Sequence, residues 1–460
     1  MTDSVTNNPE TVAAISAPDE VSNDTHEAWF IALPRSPLVF RNGMPFGEFD
    51  GAGGGEGYSL PRPSTMAGGA RAAWADAVGY FDVPRPARDH ERLKEGLSVH
   101  GPFLAKVDGK NRVSPLVPAP ADAIRYRSEG ARPQLRWRRL SPLLSDGNAA
   151  GNDLPWNLRA VMDDNLPDDA QDDAPGYWGW DAMMGWLLDN SRNVSEAALG
   201  TSNGLTPAVR THQARDAGSR TTTEGSLHQS LGLDGEPANW HEVEWDLLDR
   251  LAIVVRLSGS LKEGPVTSVD GTVRRLGADG RSVRYRSVVA SSTLPPDLHR
   301  WRLPQTEPEP GVMPRLLRDR LHSLRCGNWF RLVLATPAVF NGTWHPDWLE
   351  HRPDSGYLEG RLCDDGPRVR LRAAASPRWR PVAGIAMATG ALQPVRRMID
   401  AGSVYWLELL EDPHGCVPDR WMTPVVSRRQ DRSDGWGLAL LGTVDEQVSG
   451  SAANSGEVGT

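Results

Sequence analysis

The chain has 460 residues, of which 39% are apolar, and a chain of this length is expected to form two domains. Its net charge of −9 argues against an autonomous nucleic-acid-binding protein, because such domains are usually basic. No apolar stretch reaches the ~18 residues of a membrane span. The three cysteines (Cys326, Cys363 and Cys416) are too scattered to predict a zinc site or a disulfide.

The charge is unevenly distributed along the chain. Acidic residues concentrate in the first 27 residues and in residues 163–173, a cluster more typical of a solvated loop than of a magnesium site. Arginine suits bidentate phosphate contacts and stacking on bases, although a GC-rich genome produces the same arginine bias, and both explanations stay open. The basic residues are nearly all arginine, the lysines being Lys94, Lys106, Lys110 and Lys262.

The first segment in chain order is residues 1–27, which are polar and lack the basic start and apolar run of a signal peptide. We therefore expect a disordered tail and a cytoplasmic protein. A strand is predicted at residues 28–33. It is followed by a loop over residues 34–60 that contains Arg35, Arg41 and a glycine run.

A helix is predicted to start near Ser64 or Thr65, with either hydroxyl as its N-cap. Arg71 lies in this helix, whose N-terminus could hold a phosphate. An ordinary amphipathic helix with Arg71 in solvent is the alternative. Gly68 and Gly69 each cost about 1 kcal/mol relative to alanine, which predicts close approach of a neighbour or ligand.

The rest of the chain alternates short strands with few helices, a pattern typical of an α+β fold. Residues 145–176 are acidic and rich in Asn, Pro and Gly, which predicts a flexible insertion. A Trp-rich helix is predicted at 178–188 and a hairpin at 273–285. Further strands are predicted at 251–257, 330–335, 369–374 and 403–410.

Two segments carry residue types suited to RNA chemistry. Residues 435–442 (GWGLALLG) could expose backbone amides to a phosphate, and a turn before a final core strand is the alternative. They match neither the dinucleotide fingerprint nor the nucleotide-triphosphate loop. Arg210, His212, Arg215 and Arg220 form the second segment. His212 could act as a general base or fill a structural role.

These segments, in this order, resemble the RAMP superfamily of CRISPR-associated proteins. Residues 63–71 are similar to its P-S-[ST]-h-x-G-[AG]-h-R helix start, and residues 435–442 to its C-terminal glycine-rich loop. Within the superfamily, the chain resembles the third subunit of type III-B (Cmr) effector complexes over about residues 28–444. Four further segments carry this likeness: residues 37–47 (PLVFRNGMPFG), 210–227, 334–338 and 394–406.

The resemblance implies an α+β fold of two fused ferredoxin-like (RRM-like) domains with long insertions. The first would span residues 28–325, including the acidic insertion near 145–176, and the second residues 326–444. Tails at 1–27 and 445–460 are expected to be disordered. The family's G-G-[ED]-G-R hairpin is replaced here by residues 277–281 (GADGR).

The resemblance also implies a non-catalytic RNA-binding subunit with no metal or cofactor. It would hold the 5′ tag of a guide RNA and dock a large palm-domain subunit and the backbone RAMP subunits, away from any membrane. A RAMP endoribonuclease with His212 as base and a purely protein-binding scaffold are the alternatives. The implied RNA-contact residues are Arg35, Arg41, Gly43, Ser64, Thr65, Arg71, Arg210, His212, Arg215, Arg281, Gly435, Trp436, Gly437 and Gly442.

Overall fold

The structure is a computed structural model in which both halves of the chain contain many strands and a few helices. It describes residues 27–40, 58–82, 87–107, 113–128, 132–143, 155–162, 175–188, 193–216, 218–234, 250–278, 280–288, 313–386 and 391–444. The two predicted tails and the acidic residues 163–173 lie outside this description.

The helices are short apart from the first. In chain order they are α1 (Pro63–Ala77), α2 (Ala87–Gly96), α3 (Trp180–Leu187), α4 (Glu196–Leu199), α5 (Arg315–His322) and α6 (Arg429–Asp434). Single 3₁₀ turns occupy Pro155–Asn157, Val266–Val269, Leu362–Asp364 and Val417–Arg420.

The strands fall into two groups along the chain. Those of the first half are β1 (Glu27–Pro34), β2 (Leu97–Val107), β3 (Val113–Pro118), β4 (Ala123–Arg127), β5 (Leu135–Arg139), β6 (Ser141–Pro142), β7 (Val161–Met162), β8 (Tyr177–Gly179), β9 (Asn193–Ser195), β10 (Thr206–Arg215), β11 (Thr222–Asp234), β12 (Arg250–Gly259), β13 (Val273–Arg275) and β14 (Ser282–Ser287). Those of the second half are β15 (Trp329–Leu334), β16 (Ala338–Val339), β17 (Glu350–Arg352), β18 (Tyr357–Arg361), β19 (Arg368–Ala375), β20 (Arg380–Ala386), β21 (Ala391–Ile399), β22 (Val404–Leu409) and β23 (Ala439–Thr443).

The main sheet of the first half is antiparallel, with the order β13-β14-β1-β12-β2-β3-β8. Its central strands β1 and β12 carry nearly continuous apolar runs, as expected of strands covered on both faces. Helix α1 packs on this sheet through the apolar face that its spacing predicts, which includes Met66, Ala70 and Trp74.

The main sheet of the second half is also antiparallel, with the order β17-β18-β19-β22-β15-β23. Every residue of β15 and β22 is buried, so these strands form its core. Within the described ranges, every strand pair joins residues of the same half. The predicted α+β class is confirmed by this mixture of helices and antiparallel sheets.

The start of the first helix differs from the sequence-based prediction. The helix begins at Pro63, so Ser64 and Thr65 lie inside its first turn, and the N-cap Arg62 makes no side-chain capping bond. The capping prediction was wrong because proline is itself favoured at the first helical position. Gly69 has the predicted close neighbour, since a Cβ there would lie 2.8 Å from Leu276 Cδ1.

The prediction for Gly68 was wrong, because no described atom lies within 4 Å of the position a Cβ would take there. The prediction of a flexible insertion at residues 145–176 was wrong in part. Within it, β7 pairs with β6, Leu158 is buried, and the amide of Arg159 donates to the Arg372 carbonyl at 2.8 Å. Apolar contacts therefore hold residues 155–162 against the second half despite their polar composition.

The Trp-rich segment is strand β8 followed by α3, and three of its tryptophans are core residues. The predicted hairpin at 273–285 is confirmed as β13 and β14. No helix among the described residues is long and apolar enough to cross a membrane.

Candidate nucleic-acid interface

Arg71 is a residue of helix α1, and its side chain lies inside the protein against the C-terminal segment. It is 5% exposed. Its Nε donates to the Leu97 carbonyl at 2.9 Å, and its Nη1 contacts Asp434 Oδ1 at 2.5 Å. Its Nη2 donates to both the carbonyl and the hydroxyl of Ser433. These bonds occupy the guanidinium, so Arg71 does not present the open phosphate site or the solvent-exposed side chain that the sequence suggested.

Burial raises the pKa of Asp434, and the neighbouring Arg71 guanidinium opposes that shift. The pair is therefore a desolvated link between the two halves of the chain. Such a pair depends on its hydrogen bonds for its stability, since each charge has lost its water.

The glycine-rich segment forms the turn before the last core strand, β23. Gly435 ends helix α6 with φ +86°, and a Cβ there would lie 2.7 Å from the carbonyl oxygens of Val99 and Gly101. Gly437 has φ +68° and donates its amide to the Pro337 carbonyl. Glycine is needed at Gly435 because strand β2 approaches the turn closely.

The remaining glycine-segment residues are also enclosed. Trp436 is fully buried beneath the Arg396 guanidinium, which lies 5.9 Å from the ring centroid. Gly442 is paired with Arg331 and lies against Leu187. Arg71, Gly435, Trp436, Gly437 and Gly442 thus all lie in packed surroundings.

A second group of predicted residues meets around Phe40. The Phe40 carbonyl accepts from the Tyr58 amide at 3.0 Å, which closes the base of the loop that contains Arg41 and Gly43. The Val39 carbonyl accepts from the Ala278 amide at 2.8 Å. Arg41 and Gly43 themselves lie outside the described residues. We call this meeting point the Phe40 junction, comprising residues 35–40, 58–65, 232–233, 276–278 and 280–282.

Arg35 and Arg281 belong to this junction. The Arg35 amide donates to the Ser282 carbonyl at 3.0 Å, and the Arg35 side chain is exposed. Arg281 is half-buried beside it. Ser64 and Thr65 lie within the first turn of α1, close in the chain to Tyr58. The junction therefore brings the exposed Arg35 beside the half-buried Arg281, and the chain from Tyr58 leads from it into the first turn of α1.

The turn that departs from the family pattern is also part of the junction. Gly277 has φ +79°, and a Cβ there would overlap the Val39 carbonyl and lie 3.0 Å from the Phe40 ring. A side chain at Gly277 would separate the turn from the loop. The close approach thus explains this glycine even though the neighbouring Ala278 replaces the second glycine of the family motif.

The hairpin of β10 and β11 is attached to the same junction, because Leu38 pairs with Leu233 at its base. Arg210 on β10 is exposed. The strand register places His212 opposite His228, which the sequence distance of 16 residues concealed. The side chains of His212 and Arg215 lie outside the described part of the structure.

Sequence reasoning missed three exposed arginines at the edge of the first main sheet: Arg275 on β13, with Arg284 and Arg286 on β14. Val283 and Tyr285 alternate with the latter two and are buried. This period-two pattern was visible in the sequence and would have placed Arg284 and Arg286 on one face of a strand.

A cleft of about 370 Å³ lies beside the junction, between the two halves. Tyr58 forms part of its wall, flanked by Arg62 and Arg380 with guanidinium carbons 5.7 and 5.3 Å from the ring centroid. The Tyr58 hydroxyl donates to the Pro381 carbonyl at 2.7 Å. Burial lowers the pKa of Arg62, whose guanidinium donates to the Ala383 carbonyl. These bonds anchor β20 of the second half to the first half.

The described residues contain no group of three or more His, Cys, Asp or Glu side chains close enough to hold a metal ion. The chemistry that they offer at the Phe40 junction is that of cations, amides and one helix N-terminus. Cations and backbone amides are groups that contact phosphate oxygens in nucleic-acid complexes.

An α+β protein with two large antiparallel sheets and an arginine-bearing junction is thus the class defined by the structure. Residues 30–444 match the profile of the family described as CRISPR-associated protein (Cas_Cmr3). The chain belongs to this family. The match confirms the likeness to the third subunit of type III-B (Cmr) complexes that the sequence motifs indicated.

Solved structures give weaker similarities. One is a chain of the type III-B Cmr-beta complex bound to cognate target RNA and AMPPnP, with 12% identity, a TM-score of 0.41, and coverage of 82% of this chain and 86% of that chain. Another is a chain of the Csm3-Csm4 subcomplex of a type III-A interference complex, with 9% identity, a TM-score of 0.33, and coverage of 84% and 94%. No curated protein matches the chain.

Proposed function

We propose that this chain is the non-catalytic RNA-binding subunit of a type III-B CRISPR ribonucleoprotein, in which it holds the 5′ tag of the guide RNA. The family match over residues 30–444 carries the proposal. In this role the protein docks a large palm-domain subunit and the backbone RAMP subunits, works in the cytoplasm and contributes to antiviral defence.

The Phe40 junction supports the RNA-binding part of the proposal. It gathers Arg35, Arg281, the base of the Arg41 loop and the start of α1 from segments far apart in the chain. A single-stranded tag can be held there by arginines and amides on its phosphates. Arg71 and the glycine segment then act indirectly, by fixing the position of α1 against the second half.

The strand order supports a ferredoxin-like core in each half. The first half contains β14-β1-β12-β2, and the second contains β23-β15-β22-β19. In both, the first strand lies between the last and the third and is antiparallel to each. Helix α1 follows the first strand of its half, and α6 precedes the last strand of the other, as in a β-α-β-β-α-β unit.

The test is purification of the tagged protein from its host, followed by sequencing of any bound small RNA. The variant Arg35→Glu/Arg210→Glu reverses two exposed charges at the junction and its hairpin. The matched control Arg315→Glu/Arg352→Glu makes the same change in net charge at two exposed arginines outside the junction and its hairpin. We expect guide RNAs that share one 5′ tag with the wild type and the control, and at least a tenfold loss of RNA with the junction variant.

Recovery of partner proteins without guide RNA from the wild type would reject the RNA-binding role and favour the scaffold alternative. Equal RNA recovery from the junction variant and the control would reject the Phe40 junction as the contact surface.

One observation supports the endoribonuclease alternative: the strand register pairs His212 with His228 on the hairpin. Two histidines can serve as base and acid in RNA cleavage. We expect the purified chain to leave a tag-containing RNA intact with or without divalent metal. Cleavage that is lost in both His212→Ala and His228→Ala would replace the non-catalytic assignment.

A further inference from the structure

A small three-stranded sheet in the first half, formed by β4, β5 and β9, is unusually basic for this acidic protein. Residues 123–139 contain six arginines and a single acid, Glu129. Its strands pair in the order β4-β5-β9. We call it the basic sheet. Neither the RAMP-like motifs nor the Phe40 junction includes any part of it.

The two faces of the basic sheet have different partners. Residues directly opposite each other on antiparallel strands share a face, so Arg125 and Trp137 lie together. On that face Glu196 accepts from Arg125 Nε at 2.6 Å and from Trp137 Nε1 at 3.3 Å. Trp137 is buried against Trp178, with ring centroids 5.1 Å apart. This face holds the sheet to the protein core.

The other face carries Tyr126, Arg136 and Arg138 beside Asn193 of β9. Asn193 Oδ1 accepts from Arg136 Nε at 2.9 Å and from the Tyr126 hydroxyl at 3.0 Å. The Arg138 guanidinium lies 5.6 Å from the Tyr126 ring centroid. These contacts orient the two arginines side by side on the outer face, and a guanidinium held in this way loses little entropy on binding.

Arg127 and Arg132 extend this positive charge to the hairpin tip. Both side chains are exposed, and neither has an acidic partner among the residues that the structure describes. The terminal nitrogens of Arg136 likewise have no described partner. Guanidinium groups of this kind favour an anion with several charges in a row, which a nucleic-acid backbone provides.

The basic sheet adjoins the same cleft as the Phe40 junction. Ala123 and Trp137 line the cleft on one side, and Tyr58 and Arg62 line it on another. Both residues of the sheet belong to its inner face, so the cleft borders the basic sheet from the core side and the arginines of the outer face lie on the far side of the sheet. Single-stranded RNA fits such a surface better than a duplex, because its flexible backbone can follow a small, curved set of cations.

From these contacts we propose that the outer face and tip of the basic sheet bind the phosphate backbone of single-stranded RNA through Arg127, Arg132, Arg136 and Arg138. This inference rests on the proposed RNA-binding function and adds a second contact surface to it. The binding is independent of base sequence, since phosphate contacts carry no sequence information.

The test measures binding of a fluorescein-labelled oligouridylate to the full-length chain by fluorescence anisotropy across a salt series. For single strands the slope of log K against log salt is about −0.7 per phosphate contact. The variant Arg127→Gln/Arg132→Gln/Arg136→Gln should therefore reduce the magnitude of the slope by about 2. The corresponding Arg→Lys triple keeps the charges and should keep the wild-type slope.

Two controls separate this effect from net charge and from misfolding. Arg315→Gln/Arg325→Gln/Arg352→Gln removes the same charge from exposed positions outside the basic sheet and should leave the slope unchanged. Circular dichroism melting curves identify any variant that has unfolded, and the Arg→Lys triple then serves as the folded comparison.

An unchanged slope in the Gln triple overturns the inference while leaving the proposed function standing. Loss of a co-purified protein from the native complex, with no change in the slope, assigns the basic sheet to an acidic protein partner and also overturns it. Absence of any RNA binding by the wild type, both alone and in its complex, rejects this inference together with the proposed function.

Discussion

At the scale of single residues, the stability of the fold depends on a few buried cations. Arg71 is the clearest example, because its bonds to Asp434, Ser433 and Leu97 join helix α1 to both strand β2 and helix α6. Arg71→Ala leaves the buried carboxylate of Asp434 without its countercharge. We expect a loss of about 3–5 kcal/mol in the free energy of unfolding, measured by urea denaturation.

The control for this change is Arg315→Ala, since Arg315 is 91% exposed and its ion pair with Asp319 spans 3.8 Å. Its effect should stay below about 1 kcal/mol. A similar loss of unfolding free energy in both variants would contradict the assignment of Arg71 to a buried, stabilising ion pair.

His100 gives a second prediction at this scale. Arg256 Nη2 donates to His100 Nδ1 at 3.2 Å, so the ring must be neutral at that nitrogen. Burial lowers the pKa of His100 well below 6.5, and the Arg256 charge adds to the shift. The unfolded chain therefore binds a proton below pH ~6.5 that the folded chain does not, and stability should fall by up to about 1.4 kcal/mol per pH unit there.

Denaturant unfolding of the wild type and His100→Gln between neutral and mildly acidic pH tests this. The variant should lose less stability on acidification, because its side chain does not titrate. Parallel pH profiles would show that His100 does not cause the acid sensitivity.

At the scale of secondary-structure elements, helix α1 contains two adjacent glycines with opposite surroundings. Gly68 faces open space, whereas a Cβ at Gly69 would meet Leu276 Cδ1 at 2.8 Å and the Tyr285 hydroxyl at 3.2 Å. We expect Gly68→Ala to stabilise the protein by about 0.5–1 kcal/mol, by reducing backbone freedom in the unfolded chain. Gly69→Ala should destabilise it, because the helix must move away from β14.

Thermal melting of the two alanine variants provides the measurement, and each serves as the other's control. If the melting temperatures of both variants shifted in the same direction, α1 would not pack on the β13–β14 hairpin as described.

At the scale of the whole molecule, the two halves are held together by an ion pair that is almost fully enclosed. Arg331 Nη1 contacts Asp122 Oδ2 at 2.5 Å, and the side chains are 1% and 0% exposed. Trp186 links both partners, donating from Nε1 to Asp122 and accepting at its carbonyl from Arg331. Asp122→Ala leaves Arg331 buried and uncompensated, so a loss of about 3–5 kcal/mol is expected.

Because this pair joins the halves, we also expect Asp122→Ala to separate their unfolding into two transitions in calorimetry. Glu411→Ala is the control, since its ion pair with Arg361 lies within the second half and is half-exposed. A single transition of unchanged width in Asp122→Ala would show that other contacts couple the halves.

Much of the fold could be predicted from local sequence patterns. The strands near residues 28–33, 251–257 and 403–410 were predictable because their apolar runs lie between turn residues, and each is a central strand of a sheet. The start of α1 was less predictable, since Pro63, Ser64 and Thr65 all favour the first positions of a helix and compete for them.

The candidate site was predictable only in part. The motifs identified the segments that come together, but they did not show which of those segments are open to a ligand. Arg71 is the instructive case, because its partner Asp434 is 363 residues away and no local pattern indicates that contact. The basic sheet was missed because its six arginines belong to no motif, and only strand pairing shows that Arg136 and Arg138 share a face.

The sequence by itself determined the α+β class, the family and the segments that carry the family motifs, since these depend on local composition, periodicity and order along the chain. The tertiary structure decided which side of each motif is covered. It enclosed Arg71 and the glycine segment between the halves and left Arg35, Arg210 and two arginines of the basic sheet, Arg127 and Arg132, exposed. The physical reason is that burial and charge pairing arise from contacts between residues distant in the chain, which only the folded chain brings together.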